Sequence, residues 1–128
     1  MSYYFNKTIS LPFDEAVDRV KAELKKDGFG IMTEIDVQMT LKEKLGVDFR
    51  PYRILGACNP PFAYKALLAE DKIGTMLPCN VIVQELGPGQ IEVAAIDPLA
   101  SMAAVHNPDL GVIGLEVREK LKAVVERL

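Results

Sequence analysis

The chemistry open to this chain rests on Cys58, Asn59, Cys79, Asn80, Asp97 and His106. Cys58 directly precedes Asn59-Pro60-Pro61, a helix start. Backbone N–H groups and the positive end of a helix dipole favour a thiolate there, which would make Cys58 a nucleophile or ligand. Cys79 would then be a resolving thiol or second ligand, and His106 a proton carrier. Two thiolates, an imidazole and a carboxylate also suit zinc or another borderline metal, with Cys58, Cys79 and His106 as the candidate ligands.

Each of these residues also has a plainer reading. Cysteine is among the most buried residue types, so both thiols could be packing groups. Asp97 before proline is a turn former, and Asn59 and Asn80 are cap or turn residues. His106 reads equally as a partly exposed residue entering the last helix. No Cys-x-x-Cys pair is present, which argues against thioredoxin-like redox chemistry. Gly87-Pro88-Gly89 lies between two strands, where a hairpin explains it without a phosphate cradle. The methionines are scattered and read as gap-fillers.

Whether the candidates meet depends on the elements that carry them. Tyr3 to Ile9 is rich in aromatic and β-branched types and reads as a strand. Phe13, Ala16, Val17, Val20 and Leu24 share one helical face, with Pro12 at the start and Gly28 at the stop. Alternation predicts a strand from Ile31 to Val37. Asp36 then caps a short helix that ends before Gly46 and turns Val37, Leu41 and Leu45 inward. Residues 51–58 look extended, Asn59 opens a further short helix, and Cys79–Leu86 and Ile91–Asp97 form a hairpin. The connection from Leu99 to Val105 has no definite shape. Asn107 caps a final helix with a continuous apolar stripe from Leu110 to Leu128.

If strands 51–58, 79–86 and 91–97 are successive antiparallel neighbours, the six candidates gather at one sheet edge. On one face stand Val81, Val83, Val93 and Ala95, expected beneath the two long helices. The other is expected to show Leu55, Ala57, Ile82, Ala94 and Ile96. A bare apolar face of that size is uncommon in a monomer, so the chain is expected to form a homodimer.

With 128 residues the chain fits a single domain, 1–128, and its 49% apolar and 26% charged content is ordinary for a globular protein. No apolar run is long enough to span a membrane, and the N-terminus carries no recognisable export signal, so a cytoplasmic protein is expected. Fifteen basic and eighteen acidic side chains give a net charge of -3 without a basic stripe, an unpromising surface for nucleic acid.

The segments Cys58-Asn59-Pro60-Pro61, Leu77-Pro78-Cys79-Asn80-Val81 and Ile96-Asp97-Pro98, following an amphipathic N-terminal helix, resemble the bacterial and archaeal domain of unknown function 302. The likeness covers nearly the whole chain. It implies an α+β fold of order β-α-β(4)-α, a two-layer sandwich with a mostly antiparallel sheet and long helices on one face, similar to half of a TATA-binding-protein fold. The fold likeness to a DNA-binding protein does not extend to function, because the basic surface is missing.

The reading reached is a domain that binds a small molecule or metal ion with thiol participation at a sheet-edge cluster. Its rival is a noncatalytic dimeric protein-interaction module in which the cysteines only pack. The sequence requires no cofactor.

Overall fold

Apolar residues switch between a period of two and a period near 3.6 along the chain, and strands and helices follow that switch. The computed structural model describes residues 2–128. Strand β1 (Tyr4–Ile9) leads into α1 (Phe13–Lys26), β2 (Gly30–Asp36), α2 (Val37–Leu45) and β3 (Tyr52–Cys58). Helix α3 (Pro60–Ala69) and a 3₁₀ segment (Asp71–Met76) precede the hairpin β4 (Cys79–Gly87) and β5 (Gln90–Ile96). A single helical turn, α4 (Pro98–Ser101), and the long α5 (Pro108–Arg127) close the chain.

The five strands form one sheet in the order β1-β5-β4-β3-β2, every pairing antiparallel. Helices α1 and α5 cover one face. Val17, Val20 and Leu24 of α1 and Val117, Leu121 and Val124 of α5 share a buried core with Leu55, Val81, Val83, Ile91 and Val93. The protein is therefore an α+β fold with the long helices on one side, as expected.

The two faces carry a correction. Leu55 lies opposite Val81 and Ala57 opposite Cys79. Cross-strand partners share a face, so Leu55 and Ala57 belong under the helices rather than on the open side. Both are fully buried. The residues turned outward from β3 are Tyr52, Ile54 and Gly56.

Helix α2 departs from expectation too. None of its residues is buried, and Leu45 is 69% exposed. It is held by its ends instead. Asp36 accepts a hydrogen bond from the Met39 N–H at 2.9 Å, Gln38 donates to the Phe49 carbonyl at 3.0 Å, and Gly46 takes the left-handed conformation at φ +68° that stops the helix. The loosely shaped connection after β5 begins as helix α4, because the Asp97 carboxylate accepts from the Leu99 N–H at 3.0 Å.

Candidate functional site

Antiparallel pairing brings the end of β3 beside the start of β4 and the end of β5. Cys79 stands opposite Ala57, and Cys58 follows Ala57 as the last residue of β3, so the two cysteines come to the same rim of the sheet. Both line a pocket of about 30 Å³ between this rim and helices α3, α4 and α5, together with Asn59, Phe62, Met102 and Gly114. The space is about that of one or two water molecules. Its wall is largely carbon and sulfur.

The surroundings of Cys58 favour the protonated thiol over the expected thiolate, and the local sequence is consistent with this. Pro60 and Pro61 fill the first positions of α3. Neither has an N–H group to offer the sulfur. The first N–H groups of the helix are therefore those of Phe62 and Ala63, and the Ala63 N–H is donated to the Asn59 carbonyl at 2.9 Å. Burial therefore dominates, raising the Cys58 thiol above its ordinary range. Burial, with a smaller contribution from neighbouring Cys58, pushes Cys79 up to about 11. At neutral pH both sulfurs carry protons.

The other candidates divide around this pair. Asn59 is buried and donates from its side chain to the Asp27 carbonyl at 3.0 Å, clasping the end of α1 to the start of α3. Asp97 is also buried, accepting from Leu99 N–H and from Arg118 Nε at 3.2 Å, while that guanidinium stacks over Phe5. Its carboxylate ties the sheet end to α4 and α5. Asn80 is exposed on the opposite face from Cys79, as successive residues of a strand must be. His106 is exposed beside Glu70, Lys72 and Thr75 and does not line the thiol pocket. The four-ligand set of two thiols, Asp97 and His106 is accordingly not assembled. Among the described residues, no group of three or more His, Cys, Asp and Glu side chains is placed to hold a metal ion.

Two site features escaped the sequence reading. Met102 lines the same pocket as both thiols. Its sulfur was passed over because the connection that carries it had no predicted shape. Gly56 was unremarked, yet a Cβ there would collide with the Thr33 hydroxyl and lie 2.7 Å from Pro78 Cγ. Its lack of a side chain lets β2, β3 and the rim pack closely.

The uncovered face is the larger surface. Asn6, Ala94, Ile82, Ile54 and Ile35 lie side by side across all five strands. A polar row flanks them on one side, in which the Glu92 carboxylate accepts from Asn6 at 3.1 Å and Gln84 at 2.7 Å, and Arg50 donates to Gln84 at 2.8 Å. Tyr4 and Tyr52 help line a shallow depression of about 410 Å³ over Ile82, Ala94 and Ile96. No helix among the described residues is long and apolar enough to cross a membrane.

Comparison with known proteins gives a family and a fold relative. The model of the family described as "Domain of unknown function DUF302" matches residues 5–128. The crystal structure of an uncharacterized conserved protein DUF302 from Bacillus stearothermophilus superposes with a TM-score of 0.90 at 28% identity, covering 99% of this chain and 98% of that one. No curated protein matches.

Proposed function

The chain belongs to the DUF302 family, and on that premise we propose that it is a noncatalytic binding module that pairs with a second copy of itself through the open sheet face. The observation that carries this reading is the apolar row Ala94, Ile82, Ile54 and Ile35, left without a helix over it. Five strands about 4.8 Å apart and roughly 20 Å long present about 480 Å² in projection. Side-chain relief and the exposed flanks at Tyr3, Tyr4 and Leu86 bring the patch toward the size class of about 800 Å² per partner that stable interfaces bury. A second copy suits it electrically. The central row is uncharged, and the one carboxylate beside it, Glu92, has both oxygens hydrogen-bonded within its own chain, so apolar surface forms the middle of the contact between identical faces. Nucleic acid, by contrast, would find no cationic surface there.

Light scattering at micromolar concentration tests this: the expected mass is twice the 14.1 kDa of one chain. Ile82→Lys should give a monomer with an unchanged circular dichroism spectrum. A wild-type chain that runs as a monomer would overturn the proposal.

A second reading, ligand binding with thiol participation at the rim, is favoured by the two cysteines sharing one pocket. The volume of about 30 Å³ narrows its occupant to something of atomic size. A drug-sized molecule does not fit.

A further inference from the structure

Resting on that second reading, we infer that the rim pocket is a site for one soft monovalent d10 cation, copper(I) in chemical class, held by Cys58, Cys79 and Met102. Three sulfur-bearing residues drawn from β3, β4 and the end of α4 line a single small pocket. Thiolate and thioether donors select Cu(I) over harder ions, which prefer oxygen and imidazole. A cation of this kind is satisfied by two or three sulfurs. Zinc asks for four ligands, and the groups that would complete its set are elsewhere: His106 lies outside the pocket, and Asp97 is engaged by Leu99 and Arg118.

The size and lining agree with this occupant. About 30 Å³ of space accommodates one ion and leaves little room for a hydration shell. Phe62, Ala66, Ile113 and Val117 complete a wall that would keep water from the bound ion. A soft cation bound by sulfur loses less by giving up water than a hard divalent one does.

A cysteine thiol ordinarily keeps its proton at neutral pH, which defines the stoichiometry. On binding, each S–H bond breaks, each sulfur donates a lone pair to the metal, and two protons pass to solvent. The thioether of Met102 donates a lone pair without losing a proton. Copper enters and stays as Cu(I), so no electrons are exchanged, and the complex carries one negative charge.

The test is an anaerobic titration of the full chain with Cu(I) against a chromophoric Cu(I) chelator. One ion per chain should bind with release of two protons, so that affinity rises about 100-fold per pH unit between about pH 6 and 8. Met102→Leu preserves volume and should fold normally while weakening Cu(I) by roughly 10-fold. Cys58→Ser, at a half-buried position, should weaken it by more than about 100-fold. Failure of the wild type to retain Cu(I) against the chelator, or equal retention by Cys58→Ser, overturns the inference. Zn(II) in the same competition separates the two levels of the reading. If Zn(II) protects both cysteines from alkylation and Cu(I) does not, the ion class is wrong and the thiol pocket stands. If neither ion protects them, the pocket reading falls as well.

Discussion

The two faces of the sheet are built from the same strands, one residue out of step, and meet different fates. Leu55, Val81 and Val93 disappear beneath α1 and α5, whereas their chain neighbours Ile54, Ile82 and Ala94 remain partly open. Residue type does not explain the contrast, since isoleucine and leucine are equally apolar. What differs is whether the chain returns a helix over that side. One face is completed within the protein, and the other is a surface that can still be covered.

The largest expected effect contrasts adjacent residues of β3. Leu55→Ala removes a side chain with no exposure and should cost about 3 kcal/mol or more in urea unfolding, because the helices above cannot close the cavity. Ile54→Ala should cost about 1 kcal/mol under dilute conditions where the chain is monomeric. Equal losses at the two sites would mean that the open face is covered in the folded monomer and would break the distinction.

The covered face also predicts a pH response. Cys79 has a folded pKa of about 11, above that of an unfolded cysteine, so its protonated form is favoured in the native protein. This contribution is intact below about pH 8.5, where both states keep the proton. It is lost as pH rises toward 11, because the unfolded chain ionises first; stability should fall by about 2 kcal/mol across that window. Cys79→Ala should remove much of the alkaline slope. An equally steep decline in that variant would place the titration elsewhere.

Gly56 tests how closely the open side is assembled at the rim. Gly56→Ala forces a methyl against Thr33 and Pro78 and should destabilise by about 1–3 kcal/mol. Thr33→Ala in the same chain should recover part of that loss, since it removes the hydroxyl in the way. No recovery would assign the strain to Pro78 and the backbone instead.

The same contrast explains what could be read before the fold was known. Element order was legible because Pro12, Gly28, Pro60, Pro98 and Pro108 punctuate the chain at helix boundaries, and the period of the apolar pattern changes between them. The facing of β3 was not, because Ile54-Leu55-Gly56-Ala57 is apolar or small on both sides and a shift of one residue exchanges them. The thiol pair was legible from topology alone. Asn80 was placed with it although alternation along β4 already puts it on the other face from Cys79. His106 and Met102 exchanged importance because both lie in the connection around α4, whose path is determined by Asp97 capping and its Arg118 partner rather than by any periodic pattern.

The smallest expected effect is a response to salt, and it discriminates between kinds of partner for the open face. The central row Ala94, Ile82, Ile54 and Ile35 carries no charge, and the Glu92 carboxylate beside it is hydrogen-bonded within its own chain, so pairing of two copies would rest mainly on apolar area and shape. Its dissociation constant, followed by sedimentation, should change by less than about twofold between roughly 0.05 and 0.5 M sodium chloride, a range over which the screening length falls severalfold. An association assembled from surface ion pairs, or from contacts with a polyanion, would weaken steeply over the same range. Marked weakening would therefore move the contact off the isoleucine row to a charged part of the surface, even if the protein proved dimeric.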